Sequence, residues 1–242
     1  ESGGVINAIR IDGNQRIEAS TVQSYMLEAG VAVGDPFDNR RINRSLKNLF
    51  ATALFADVNM VREGNTLVVR VVENPIINRI AFEGNQRVKD EVLETEVELR
   101  ARVVYTRTKV QTDVARIVEI YRRSGRFAAT VVPKIIQLPH NRVDLVFEIN
   151  EGPKTEIRDI SFIGNTKFND SRLRDEVSTK ESAWYRFLSS DDTYDPDRIA
   201  FDRDRLRTFY LSKGYADFRV LSAIAELTRN RSGFFITFTV EE

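Results

Sequence analysis

The chain has 242 residues, with Lys+Arg and Asp+Glu both at 36, so it lacks the electrostatic footprint of a nucleic-acid or anionic-membrane binder. It holds no cysteine, which excludes disulfides, thiolate metal sites and cysteine nucleophiles. No apolar run approaches the roughly 18 residues of a spanning helix, and the start, Glu1-Ser2-Gly3-Gly4-Val5, lacks a basic and apolar leader; the expectation is a soluble chain or the soluble part of a larger one.

Val5 to Ile11 alternates as a strand, and Gly13-Asn14 turns it. From Ala19, the spacing of Val22, Met26 and Ala29 marks one helix face, which Gly30 and Gly34-Asp35-Pro36 interrupt. Asp38 is placed to cap a second helix carrying Ile42, Leu46 and Leu49. A strand from Phe55 through Val61 reverses at Glu63-Gly64-Asn65. Leu67, Val69 and Val71 then alternate inward, and Glu73-Asn74-Pro75 closes the unit. The order is β-α-α-β-β.

The same order returns twice. The second copy predicts a helix from about Asp90 to Leu99, then a helix lined by Val110, Val114, Ile117 and Tyr121. A strand from Thr130 to Ile136, a turn at Pro139-His140-Asn141 and a strand carrying Leu145, Phe147 and Ile149 complete it. In the third copy Asp195-Pro196 is a helix cap followed by proline at the first helical position, and Ile236, Phe238 and Val240 line the last strand. Each copy is anchored on Gly-Asn: Gly13-Asn14, Gly84-Asn85 and Gly164-Asn165. Ile6, Ile9 and Ile11 before the first glycine correspond to Ile77, Ile80 and Phe82, and to Ile157, Ile160 and Phe162. Ile17, Val22 and Met26 after it correspond to Val88, Leu93 and Val97, and to Phe168, Leu173 and Val177. Such agreement defines an internal repeat.

The expected fold is therefore α+β: three tandem β-α-α-β-β domains over 1–75, 76–153 and 154–242, each a three-stranded mixed sheet covered on one face by two helices. The junctions Asn74-Pro75 and Glu151-Gly152-Pro153-Lys154 are too short for flexible tethers, the second being the more hinge-like at Gly152. The third copy has an insertion between its helices that carries Trp184, Tyr185 and Phe187. These aromatics either extend that domain's core or form a docking patch.

Catalytic chemistry finds little support. His140 is the only histidine and has no His or Cys companion for a metal or acid–base cluster. The run from Asp191 to Asp197 lacks the glycine and glutamate of a calcium loop, since Pro196 and Asp202 stand in those places. No Gly-x-Ser-x-Gly elbow occurs. A KH-type RNA-binding array shares the β-α-α-β-β order but needs a Gly-x-x-Gly loop between the helices; Gly30 and Gly34 have the wrong spacing, and the other copies have no glycine there. The expectation is a non-enzyme without catalytic residues, cofactor or metal, binding no nucleic acid.

What the topology offers is sheet edges. The last two strands of each copy form a hairpin and the first pairs beside the last, which leaves the penultimate strand at an edge with unpaired backbone groups. These client edges are Val58, Asn59, Met60, Val61 and Arg62, and Thr130, Val131, Val132, Lys134, Ile135 and Ile136. The third, from Arg219, is the longest and least guarded: Val220, Leu221, Ser222, Ala223, Ile224 and Ala225 are uncharged before Glu226, Leu227 and Thr228. We expect it to bind a protein partner. Arg62 and Lys134 read equally well as guards against aggregation.

The unit opened by a strand with Gly-Asn and closed by Val/Ile-x-Glu-Gly-Pro resembles the POTRA domain. Three in tandem resemble the periplasmic arm of the BamA family of outer-membrane protein assembly factors. The match runs the length of the chain and is most specific at Gly64-Asn65-Thr66-Leu67-Val68-Val69, at Asp191-Asp192-Thr193-Tyr194-Asp195 and from Arg205 to Phe218. The resemblance implies a periplasmic location, further POTRA domains and a membrane β-barrel beyond Glu242, with unfolded outer-membrane proteins and accessory lipoproteins as partners. It also implies docking of a BamB-like lipoprotein on the third edge, about Leu221 to Thr228. Related translocation-assembly or import proteins, and a spacer that touches no client, remain alternative readings.

Overall fold

The computed structural model describes residues 3–182 and 192–242. Three sheets of three strands follow one another along the chain. The first repeat runs β1 (Ala8–Asp12), α1 (Ala19–Glu28), α2 (Asn39–Ala51), β2 (Phe55–Glu63) and β3 (Thr66–Glu73). The second runs β4 (Ile76–Glu83), α3 (Asp90–Glu96), α4 (Arg107–Arg123), β5 (Thr130–Leu138) and β6 (Arg142–Asn150). The third runs β7 (Glu156–Ile163), α5 (Asp170–Glu176), α6 (Pro196–Ser212), β8 (Arg219–Leu227) and β9 (Gly233–Glu241). The sheet orders are β1-β3-β2, β4-β6-β5 and β7-β9-β8, so the last strand is central and the penultimate one is at an edge each time. The first strand pairs parallel to the last, and β2 and β8 pair antiparallel to their neighbours.

The chain divides into two compact units, one of residues 1–83, 94–114 and 133–148, the other of 84–93, 115–132 and 149–242. The first contains the core of the first repeat, built on Ile6, Val22, Met26, Leu49, Leu67 and Val69. The second contains the core of the third repeat, where Ile157, Leu173, Leu206, Tyr210, Ile236 and Phe238 are buried. The apolar residues matched across the repeats are buried or half-buried in every copy.

The Gly-Asn signature has a physical cause. Gly13, Gly84 and Gly164 adopt φ of +89, +86 and +92°, and a Cβ there would stand 2.3, 2.0 and 2.1 Å from the carbonyl oxygens of Val71, Ile149 and Val240. The asparagine that follows donates its Nδ2–H to a carbonyl three residues on, at Ile17, Val88 and Phe168. A glutamate at the end of each last strand completes the clamp. Glu73 Oε1 accepts from the amides of Gln15, Arg16 and Ile17, and Glu151 Oε1 accepts from the amide of Arg87 and the hydroxyl of Tyr121. Glu242 accepts from the amides of Thr166 and Lys167 and the Tyr210 hydroxyl. These motifs hold the first turn of each repeat to its last strand.

Burial pushes the Glu242 carboxyl up, but the hydrogen bonds from Thr166, Tyr210 and the two amides prevail and hold it below its ordinary value of 4.5. A depressed folded pKa contributes stability that is present above 4.5 and is lost as pH falls through the folded value. Urea midpoints of Glu242→Gln should therefore lie below the parent's at pH 7 and converge with them in acid.

Asp38 and Asp195 cap α2 and α6 as the sequence predicts, each accepting from two backbone amides. α3 stops at Glu96 rather than Leu99. The reason is Asp113, fully buried on α4, which accepts from the amides of Glu98 and Leu99 and draws them out of the helix. Asp202 does the same on α6, accepting from the amides of Ser178 and Thr179. Both lie eight places after the aromatic that opens the second helix, where the first repeat has Ser45. Asp202→Ala strands buried amides, and a loss of about 2–4 kcal/mol is expected in denaturant unfolding.

The first strand begins at Ala8, with Val5 reduced to a bridge with Pro36. The junction at Gly152 is fastened. The Thr155 amide donates to Gly125 O (2.7 Å), and its hydroxyl accepts from the Phe127 amide (3.0 Å) and donates to Arg231 O (2.8 Å). The Phe127 ring meets those of Tyr194 and Phe234 edge-on. The hinge expected there is thus bridged by side chains distant in sequence.

Candidate strand-docking edge

The first strand forms the other edge of each sheet, and the protein covers part of it. The loop between the helices pairs with the start of the first-strand segment in each repeat: Ile6 N to Asp35 O, Ile77 N to Val103 O and Ile157 N to Asp192 O. In β7 the amide of Ile160 donates to Glu181 Oε1 and its carbonyl accepts from Arg174 Nε, two groups that pair with each other at 3.1 Å.

The penultimate strands differ in their protection. In β2, Val58, Asn59, Met60, Val61 and Arg62 lie at the edge beside the charges of Asp57 and Glu63, with Val58 buried. The Arg62 guanidinium lies 4.1 Å from the Phe37 ring centroid and donates to the Gly3 and Gly64 carbonyls. On the open face of this sheet Arg10 reaches Glu63 (3.1 Å) and Arg70 reaches the same carboxylate (3.4 Å), with Val68 fully buried. In β5, Thr130, Val131, Val132, Lys134, Ile135 and Ile136 surround Pro133, which has no N–H to offer, and Lys134 is paired with Glu148.

β8 is nine residues long like β2 and β5 rather than longer than them; it has no proline, and its charges, Arg219 and Glu226, flank an uncharged stretch from Val220 to Ala225. Leu221, Ile224 and Leu227 are exposed, while Val220, Ser222, Ala223 and Ala225 are half-buried and Glu226 is exposed. Thr228 lies just past the strand, where its amide donates to Gly233 O and closes the hairpin. Antiparallel pairs alternate between bonded and non-bonded. Counting from Thr228–Gly233, the bonded pairs are Glu226–Phe235, Ile224–Thr237 and Ser222–Thr239. The N–H and C=O groups of Ala223, Ala225 and Leu227 therefore point away from β9 into the open edge. A register shift between Val220 and Ser222 ends this regular stretch. On the sheet face opposite the helices, Ile163, Ile224 and Phe235 are exposed, and the hydroxyls of Ser161 and Thr237 lie 3.3 Å apart.

Trp184, Tyr185 and Phe187 lie outside the described residues. Among those described, no group of three or more His, Cys, Asp or Glu side chains could hold a metal ion, and no helix is long and apolar enough to cross a membrane. The buried carboxylates Asp113 and Asp202, which periodicity did not single out, serve backbone amides. Their shared offset from Tyr105 and Tyr194 was the available signal.

A three-stranded sheet with two helices and its penultimate strand at an edge is used three times in tandem. The POTRA model, described as a surface antigen variable number repeat, matches residues 4–74, 75–152 and 155–242. The chain belongs to the POTRA family. It is 29% identical over 240 residues to the outer membrane protein assembly factor BamA of Neisseria meningitidis serogroup B, covering 98% of this chain and 30% of that protein. It is 27% identical over 234 residues to BamA of Neorickettsia risticii, covering 97% of this chain and 31% of the relative. The chain thus spans about three-tenths of the length of these relatives. The N-terminal domain of Omp85 from Thermosynechococcus elongatus shares the fold with a TM-score of 0.56 at 17% identity, covering 98% of this chain and 97% of that one. POTRA domains 1–3 of Omp85 from Anabaena give 0.53 at 13% identity, covering 100% and 97%.

Proposed function

We propose that this chain is the periplasmic POTRA region of an outer-membrane protein assembly factor. It acts as a non-enzymatic scaffold that receives unfolded β-barrel precursors and docks accessory lipoproteins, a BamB-like one on the third repeat, by strand addition at sheet edges. In this reading further POTRA domains and a membrane β-barrel complete the full-length protein, and nucleic acid has no part. The observation that carries it is β8: three residues turn their backbone groups outward from an edge bearing no charge between Val220 and Ala225. Main-chain pairing depends little on the guest's side chains, which suits a site serving many β-rich clients.

The test is photo-crosslinking from position 227 on the edge and, as control, from Leu27, an equally apolar residue that is 62% exposed on a helix. The probes are an unfolded outer-membrane β-barrel protein and a BamB-like lipoprotein. Capture from position 227 well above that from position 27 supports the reading. Equal or absent capture opposes it.

A further inference from the structure

Beside the first half of β8 lies a groove of about 640 Å³. One wall is a single face of α6, formed by Ala200, Arg203, Asp204 and Arg207 at helical spacing; the other is the chain from Phe218 to Leu221. Arg203 Nη2 reaches the Val220 carbonyl (3.5 Å), and Arg219 is held loosely by Glu241 (3.5 Å, both side chains more than half exposed). Among the described residues Arg207 makes no ion pair. With Arg219 offset by Glu241, Arg203 and Arg207 against Asp204 leave the groove a local excess of one positive charge in a chain that is neutral overall.

Its position relative to the edge gives the groove a use. A strand bonded to the outward groups of Ala223, Ala225 and Leu227 would alternate its side chains between the two faces of the sheet. Those on the helix side point toward α6, and the ones reaching past Ser222 arrive over the groove. The register shift before Ser222 ends regular pairing there, so recognition at that end passes from backbone to side chain.

We propose that this groove is a side-chain subsite of the docking edge, taking the carboxylate of an acidic residue in an extended polypeptide added to β8. The inference rests on the strand-addition reading and adds to it a preference among guests. The apolar residues Val220 and Leu221 accept the stem of a Glu side chain, and Arg203 and Arg207 meet its head. Partly exposed charge pairs of this kind contribute modestly to affinity and more to selection and orientation.

The test uses nine-residue peptides, the length of β8, of alternating Thr and Val, acetylated and amidated, with Glu or Gln next to one end. Blocking both termini leaves the side chain as the sole carboxylate. Fluorescence anisotropy should show the Glu peptide binding about three- to tenfold tighter at low salt, with the ratio shrinking as salt rises. Arg203→Gln with Arg207→Gln should bring the ratio to one, and Arg207→Glu should favour the Gln peptide. Equal binding of both peptides to the parent, with both lost in Ala225→Pro, would overturn the subsite and leave strand addition standing. A Glu preference that survives in the double variant overturns it too. If neither peptide binds, the subsite and the strand-addition reading fall together.

Discussion

Ala225→Pro is expected to weaken capture of an added strand by about tenfold or more while leaving the third repeat folded. Ala225 belongs to a non-bonded pair with Ile236, so its N–H serves no neighbour in its own sheet. Proline removes that donor and sets a ring in the path of the guest, and edge strands tolerate it because their outward amides are idle. Ile224→Pro is the counterpart. Its amide bonds Thr237 inside the sheet, so the same residue type one place earlier should cost about 3 kcal/mol or more. Binding titrations alongside thermal unfolding separate the two. Ala225→Pro should lose binding at nearly unchanged Tm, and Ile224→Pro should lose the fold.

Gly164→Ala should be among the most destabilising single-methyl changes in the chain, at about 2–4 kcal/mol. Two costs coincide. A side chain disfavours φ of +92°, and the new Cβ would lie 2.1 Å from the Val240 carbonyl, which belongs to the central strand. Gly214 offers an internal comparison, because it has the same φ of +92° but open space around the added Cβ. Gly214→Ala should cost only about 1 kcal/mol. Chemical denaturation of the two variants checks the difference, and equal losses would mean that the close approach to Val240 contributes nothing.

Most of the architecture was legible because it is local. The periods of Val22 and Met26, and of Leu67, Val69 and Val71, report on the face a residue occupies. Asp38 and Asp195 announce helix starts within a turn of themselves. The edge position of β2, β5 and β8 followed from hairpin logic alone. The misses involve partners far apart in sequence. Asp113 shortens α3 from 14 residues away at Leu99, and nothing near Glu96 signals it. The covering of the first strands by the interhelical loops depends on pairs such as Ile157 with Asp192, which carry no periodicity. Gly152 looked like a swivel because glycine frees the chain locally, whereas Thr155 and Phe127 fasten it through contacts with Gly125, Arg231, Tyr194 and Phe234. The Gly-Asn and Glu signature was visible as a repeat, but its role as a turn-to-strand clamp needed coordinates. Among the residues proposed for docking, the sequence located β8 without showing that the backbone groups of Ala223, Ala225 and Leu227 face outward, since that alternation is set by the hairpin closure at Thr228–Gly233.

If β8 presents unpaired backbone groups to an incoming strand, amide hydrogen exchange resolved by residue will show it. In the free protein the amides of Ala223, Ala225 and Leu227 should exchange fast, while those of Ser222, Ile224 and Glu226 stay protected. Adding an unfolded outer-membrane β-barrel protein should slow the first set selectively. Uniform protection along β8 in the free protein, or no slowing at these three amides when the guest is present, would mean that β8 is not an edge open to strand addition.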